Sequence, residues 1–84
     1  MVPQIIELEI SPEVAEHIWE RHHINAARLT EILLGDYDLE RNKRGRSATH
    51  LLIGEDLGGN CYVVPVKATG RAQVWEVYSA WPCD

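Results

Sequence analysis

Imidazole, guanidinium and hydroxyl groups stand at four positions of this 84-residue sequence where they could act together: Arg21, His22, Arg46 and Ser79. A histidine titrates near neutral pH, so it can transfer protons or hold a phosphate. Arginine stabilises negative charge that develops during a reaction, and a hydroxyl can donate to it. These are the ingredients of metal-independent RNA cleavage, in which the 2′-hydroxyl attacks its own phosphate. We therefore predict catalytic roles for these four residues, with no metal and no cofactor.

His22 is the most informative of the four because of its place on a predicted helix. On a helical wheel it falls within an apolar arc formed by Val14, Ala15, Ile18 and Trp19, where a purely structural helix would carry leucine or isoleucine. Two interpretations are open. The residue is either a partly buried histidine bonded to a backbone carbonyl or an imidazole held for acid–base chemistry where the helix meets the sheet. We predict that it is at least half buried.

Metal and disulfide chemistry have less support. His17 and His22 are five residues apart rather than four, and no third ligand stands at a standard spacing. Cys61 and Cys83 form no CxxC pair, and we expect reduced thiols, as is usual for cytosolic cysteines. The alternative, allowed by their number alone, is one disulfide between them.

A basic segment interrupts an otherwise acidic chain. The net charge is −5, yet residues 41–46 carry four of the eight Lys and Arg residues and no acid. Such a segment can bind phosphate locally even when the whole protein is acidic. We therefore expect RNA binding through Arg41, Lys43, Arg44 and Arg46. The alternative is a solvated hairpin tip whose charge serves only solubility.

Hydrophobic periodicity and turn residues predict the elements that position these side chains. Helices are predicted at Pro12–His22 and Ala26–Leu34, with caps at Ser11 and Asn25 and a left-handed stop at Gly35. Strands are predicted at Gln4–Ile10, Tyr37–Arg41, Ala48–Ile53, Cys61–Lys67 and Ala72–Ala80. Pro65 cannot donate a ladder hydrogen bond, which predicts a sheet edge or a bulge at that residue.

The order of these elements predicts an α+β fold. Short connections between consecutive strands favour antiparallel pairing, so we expect both N-terminal helices on one face of an antiparallel β-meander, with Gln4–Ile10 as a candidate extra strand. A chain of 84 residues has room for one hydrophobic core, and we expect a single domain over residues 1–84.

Location and partners are predicted from composition and from the end of the sequence. No apolar run approaches the length of a membrane span and the first residues lack a signal peptide pattern, so we expect a cytoplasmic protein without membrane contact. Trp75 and Trp81 lie near the last predicted strand, and a large exposed aromatic residue usually marks an interface. This predicts a homodimer or a partner protein, unless Trp81 folds back into the core.

The sequence also resembles a known family. Ile10-Ser11-Pro12 opens a helix that closes with Arg21-His22-His23-Ile24, and the last strand ends in Val77-Tyr78-Ser79-Ala80. This arrangement resembles the BrnT toxins of bacterial type II toxin–antitoxin systems, in which the first helix commonly ends in Lys-His-Gly-Val and the last strand in an Ile-Ser-Ala-Arg run. The DUF4258 proteins, a small family of unassigned function, match about as well.

The resemblance implies a RelE/ParE-like fold, ribonuclease activity and an antitoxin-like partner. By position, Arg21 stands for the family's lysine, His22 for its histidine and Ser79 for its serine. The sequence departs from the pattern at His23, which replaces the glycine, and at Trp81, which replaces the terminal arginine. Arg46 is the candidate substitute for that cation.

Two classes of function are therefore expected. The first is a toxin-like, metal-independent endoribonuclease that acts on RNA. The second is a non-catalytic relative of the same fold that serves as a protein-binding module. RNA cleavage that is lost in His22→Ala distinguishes the first class from the second.

Overall fold

The structure, a computed structural model, describes residues 4–83 and joins two helical segments to a mixed six-stranded sheet. Helix α1 spans Pro12–His22, and α2 (Ala26–Leu29) continues directly into a 3₁₀ helix at Thr30–Leu34. Both predicted caps are confirmed. The Ser11 hydroxyl accepts the Val14 N–H at 3.2 Å, and the Asn25 side chain accepts the Ala27 N–H at 3.0 Å.

The second helical segment ends differently from the prediction. Gly35 is extended, with φ −119° and ψ −161°, rather than left-handed. The left-handed residue is His23, with φ 55° and ψ 34°, which closes α1 by donating its N–H to the Trp19 carbonyl at 2.8 Å. A non-glycine residue in this conformation is uncommon, so the chain turn between the helices depends on an unfavoured local geometry.

Six strands form the sheet of the described residues: β1 (Glu7–Glu9), β2 (Tyr37–Arg41), β3 (His50–Glu55), β4 (Cys61–Ala68), β5 (Val74–Val77) and β6 (Trp81–Pro82). Their order is β1-β5-β4-β3-β2, and β6 pairs with β4. The meander from β2 to β5 is antiparallel, as predicted. Strand β1 instead pairs parallel with β5, placing Leu8 opposite Trp75. The α+β fold is therefore confirmed, but the sheet is mixed.

The predicted strand Ala72–Ala80 is interrupted opposite Pro65. Strand β5 pairs with the end of β4 and β6 with its beginning, and the Tyr78 N–H donates to the Pro65 carbonyl at 2.9 Å between them. Because Pro65 has no N–H to return, the ladder is broken over residues 78–80. Pro65 therefore does not lie at a sheet edge, one of the two predicted positions, but in the interior strand β4, where its missing N–H interrupts the neighbouring ladder.

Both helical segments cover the same face of the sheet. Ile18, Leu29 and Ile32 are fully buried and belong to one cluster with Leu52 and Val64, which point to this face of β3 and β4. The alternate residues of these strands point to the opposite face, where Leu51, Ile53 and Val63 are only partly buried and Pro65 is buried. That second face, away from the helices, carries the candidate site.

The alternation predicted near the start of the chain applies only to β1 itself. Leu8 is buried between the exposed Glu7 and Glu9, but Ile6 is 59% exposed, and Ile5 is buried instead. The Ile5 N–H donates to the Tyr37 hydroxyl at 2.9 Å. The period of two is therefore lost before Glu7, where pairing with β5 begins.

Candidate functional site

A groove of about 480 Å³ lies on the sheet face opposite the helices. Its floor contains Leu51 and Pro65, which are paired across β3 and β4. Its polar and aromatic lining includes Lys43, Arg46, Tyr78, Ser79 and Trp81. We call this the Trp81 groove. It brings the loop after β2 together with the segment that joins β5 to β6.

The loop between β2 and β3 is shaped by Asn42. The Asn42 N–H donates to the Thr49 carbonyl at 2.9 Å, and its side-chain amide donates to the Ala48 carbonyl at 3.0 Å while accepting the Lys43 N–H at 2.8 Å. Gly45 supplies the positive φ of 81° at the tip. These contacts hold the ends of the loop close together and so present its cations at the groove.

The lining of the Trp81 groove carries positive charge and no acidic residue. Within residues 4–83, neither Lys43 nor Arg46 forms an ion pair. Arg28 differs because it lies 3.1 Å from a Glu31 carboxylate oxygen. A cation without a carboxylate partner is available to a phosphate.

The two residues before Ala80 add hydrogen-bonding groups to the groove. Burial raises the pKa of the Tyr78 phenol, and the neighbouring Glu76 carboxylate raises it further. Tyr78 therefore stays protonated at neutral pH and donates to Glu76 at 3.3 Å. Within the described part of the chain, the Ser79 hydroxyl makes no hydrogen bond to another protein atom.

Trp81 is the aromatic residue that forms the wall of the groove. It pairs with Val63 at the edge of β4 and is 38% exposed, so part of the indole surface is open to solvent. The prediction of an exposed tryptophan near the last strand is confirmed for Trp81. Trp75 is instead buried and lies edge-on to His50, with ring centroids 5.2 Å apart.

The structure brings together only part of the predicted catalytic set. Arg46 and Ser79 line the Trp81 groove, whereas Arg21 and His22 lie at the end of α1 and are not among the lining residues. Of the predicted RNA-binding residues, Lys43 and Arg46 line the groove. Arg41 and Arg44 are exposed in and after β2 without lining it.

The prediction that His22 is at least half buried is wrong, because this residue is exposed. The apolar arc of α1 is narrower than its helical wheel indicates. Ile18 is the fully buried residue of α1, while Trp19 is 56% exposed and lies edge-on to the His23 ring at 5.5 Å. The last turn of α1 therefore presents its side chains to solvent rather than to the sheet.

The expectation of reduced thiols is also corrected, because Cys61 and Cys83 form a disulfide. Their Cα atoms are 5.3 Å apart, and the Cys83 N–H donates to the Cys61 carbonyl at 3.0 Å. Residues 22 apart in sequence meet because β6 pairs with the first part of β4. The number of cysteines was the sole sequence signal for this bond.

Sequence reasoning did not single out Asp56, the buried charged residue of the described chain. One carboxylate oxygen accepts the Gly58 and Asn60 N–H groups, each at 2.9 Å, and the other accepts the Tyr62 hydroxyl at 2.9 Å. The Asn60 N–H bond is the largest cause that holds the Asp56 pKa below its ordinary value. Asp56 is therefore a fully bonded structural carboxylate of the β3–β4 turn.

A larger groove of about 580 Å³ at the other end of β3 has the opposite charge. Its lining includes the acids Glu31, Asp36, Asp38, Glu55 and Asp56. Negative charge of this density repels phosphate. The two grooves, at opposite ends of β3, are therefore lined by side chains of opposite charge.

Comparison with known proteins does not extend this description. No family model matches the chain, and no curated protein matches it at a significant level. Over residues 4–83, no three His, Cys, Asp or Glu side chains are grouped to hold a metal ion. In the same range, no helix has both the length and the apolar character to cross a membrane.

Proposed function

We propose that this protein binds single-stranded RNA in the Trp81 groove. One observation carries the proposal: Lys43 and Arg46, which have no ion-pair partner in the described chain, share a groove without acidic lining with the part-exposed Trp81. Proteins that bind single strands combine cations along the phosphate backbone with aromatic rings on which bases stack. The groove has both components.

Two further groups fit the same ligand. The Ser79 hydroxyl can donate to a phosphate or ribose oxygen, and the Tyr78 phenol oxygen, whose hydrogen is donated to Glu76, can accept from a ribose 2′-hydroxyl. The groove volume of about 480 Å³ lies within the range typical of small-ligand sites, so it suits one nucleotide. Arg41 and Arg44 extend the positive surface beyond the groove, where neighbouring phosphates would lie.

The ligand is a single strand because stacking requires an unpaired base. In duplex RNA the bases are stacked on each other and the major groove is too narrow to admit side chains. The rest of the protein is acidic and repels the phosphates. Binding is therefore weak and decreases steeply as salt rises, since each neutralised phosphate releases counterion.

Fluorescence anisotropy of a short, unstructured, labelled RNA tests this proposal across a salt series. We expect Trp81→Ala to weaken binding by about 1–3 kcal/mol, which is roughly 5- to 150-fold, because it removes the stacking surface. The matched control is Trp19→Ala, which removes another exposed tryptophan outside the groove. If the two variants bind equally, or if duplex RNA binds as well as the single strand, the proposal is wrong.

A second pair of variants tests the charge contribution. Arg46→Gln and Lys67→Gln each remove one exposed positive charge, but only Arg46 lines the groove. We expect Arg46→Gln to lower the affinity and to reduce the salt dependence by about one phosphate contact. Lys67→Gln should leave the salt dependence unchanged. Equal effects of the two variants would mean that RNA binding depends only on the net charge of the protein.

RNA cleavage is a second proposal, drawn from the resemblance to BrnT-like toxins and favoured by one observation, that Arg46 and Ser79 share the groove. In this reaction the 2′-hydroxyl loses its proton and its oxygen attacks phosphorus, while the 5′-oxygen leaves and takes up a proton, which produces a cyclic phosphate and a 5′-hydroxyl. RNA incubated with the protein and a chelator should yield this product, and Arg46→Gln should abolish its formation.

His22 lies outside the groove, so it can take part only if the bound RNA extends as far as the end of α1, and His22→Ala tests this. Full activity in that variant would exclude His22 from the mechanism.

The resemblance also leads us to propose a RelE/ParE-like protein with an antitoxin-like partner or, as the alternative, a homodimer. Sedimentation of the purified protein tests for the homodimer. Co-expression with the product of the adjacent gene tests for the antitoxin-like partner. A strict monomer that retains no neighbouring gene product would contradict both.

A further inference from the structure

The wall of the Trp81 groove is held in place by very little backbone structure. Strand β6 has two residues, Trp81 and Pro82, paired with Val63 and Tyr62 of β4. Immediately before β6, the ladder is broken over residues 78–80. Strand pairing by itself therefore provides few hydrogen bonds to keep Trp81 at the groove.

The Cys61–Cys83 disulfide supplies the missing attachment. It joins the residue directly after β6 to the first residue of β4. Both cysteines are partly exposed, so a small reductant can reach the sulfurs. Two-residue β6 is thus fixed on one side by this covalent bond and on the other by Ala80, which is fully buried in the core cluster.

This arrangement divides the end of the edge strand into a fixed and a releasable part. Ala80 is held by core packing whatever the state of the cysteines, because none of its surface is exposed. Trp81 is 38% exposed and Pro82 is exposed, so both residues already contact solvent, whereas Ala80 does not. Without the disulfide, the short segment after Ala80 is the part that can leave β4.

We propose that the Cys61–Cys83 disulfide is a redox clasp that keeps Trp81 in the groove, and that its reduction releases β6 and opens the groove. The effect on RNA affinity rests on the proposed RNA binding, whereas the release of β6 does not. Disulfides in reducing compartments are usually transient and redox-sensing, while those in oxidising compartments persist. The clasp makes RNA binding strongest in the oxidised protein.

The chemistry requires a dithiol reductant. One thiolate of the reductant attacks a sulfur of the disulfide and forms a mixed disulfide, releasing the other cysteine as a thiolate that takes up a proton. The second thiol of the reductant then closes on the mixed bond and releases the remaining cysteine. In total, two electrons and two protons pass to Cys61 and Cys83, which become thiols, and the reductant becomes a cyclic disulfide.

Hydrogen exchange measured by mass spectrometry tests the release of β6 without RNA. We expect dithiothreitol to accelerate exchange at the Trp81 and Cys83 amides, while β4 exchange and far-ultraviolet circular dichroism stay unchanged. The double variant Cys61→Ser/Cys83→Ser should exchange like the reduced protein without reductant and should not respond to dithiothreitol. If reduction leaves exchange at β6 unchanged, or unfolds the whole protein, the clasp is wrong.

RNA anisotropy then tests the consequence for the groove. Reduction should weaken RNA binding by the same factor as Trp81→Ala, about 10-fold, and should have no further effect on Trp81→Ala itself. If β6 is released and Trp81→Ala weakens binding but reduction does not, control of the groove is wrong. If β6 is released and Trp81→Ala has no effect on RNA, the clasp is supported and the proposed RNA binding fails.

Discussion

Gly54 is the position where the 3₁₀ helix approaches the sheet most closely among the described glycines, and Gly54→Ala tests this contact. A Cβ atom at Gly54 would lie 2.6 Å from Cγ2 of Ile32 and 3.1 Å from Cβ of Tyr37. Ile32 is fully buried, and its branched side chain is stiff at χ1. The methyl group of alanine therefore requires the 3₁₀ helix and β3 to move apart.

The expected loss of stability combines two opposing effects. Overpacking a well-packed core costs typically about 1–3 kcal/mol. Replacing glycine with alanine restricts the unfolded chain, which stabilises the fold by about 0.4–1 kcal/mol. We therefore expect Gly54→Ala to lower the free energy of unfolding by about 1–2 kcal/mol, measured by urea denaturation with circular dichroism.

Gly35→Ala is the matched control. A Cβ there would meet no atom within 4 Å, and its φ of −119° suits alanine, so only the effect on the unfolded chain applies and stability should rise. Ile32→Leu moves the branch point of this side chain from Cβ to Cγ and so removes the Cγ2 atom from the contact. The double variant Gly54→Ala/Ile32→Leu should therefore recover part of the stability that Gly54→Ala loses, because the two sites are coupled. Stability of Gly54→Ala equal to or above that of Gly35→Ala would refute this reasoning.

Two further predictions concern Asp56 and His23. The Asp56 pKa is lower in the folded protein than its ordinary value, so the stabilisation that it provides is complete at neutral pH and is lost as pH falls through the folded pKa. Urea titrations at decreasing pH should show that acid lowers the free energy of unfolding less in Asp56→Asn than in wild type. Equal decreases would exclude Asp56 as a cause of acid destabilisation. His23 is left-handed with φ 55°, so His23→Gly should be more stable than His23→Ala by about 1 kcal/mol, and thermal unfolding that ranks alanine higher would contradict this.

The sequence alone determined the elements whose signals are local. Helix α1 begins and ends at the predicted residues, Pro12 and His22, because a capping hydroxyl and a proline act within one turn. Strand β2 was also predicted with its observed bounds, Tyr37–Arg41. The missing N–H of Pro65 is also a local property, but the predicted sheet edge or bulge became a broken ladder beside an interior strand.

Exposure could not be predicted from periodicity, because it depends on where a neighbouring element ends. The helical wheel placed His22 among apolar residues, but burial requires an element to cover that turn. The last turn of α1 is left uncovered, as Trp19 shows by being 56% exposed. A helical wheel shows which side chains share a face of the helix. It does not show how far along the helix that face is covered by the rest of the protein.

The tertiary structure alone decided the contacts between residues distant in sequence. Parallel pairing of β1 with β5, the Cys61–Cys83 bond and the groove that Arg46 and Ser79 both line each involve segments that local rules treat as independent. These contacts depend on the order of strands in the sheet and on the register between them, which are set by the packing of the whole core. Local backbone chemistry therefore determined the elements, whereas strand order and register determined the composition of the site.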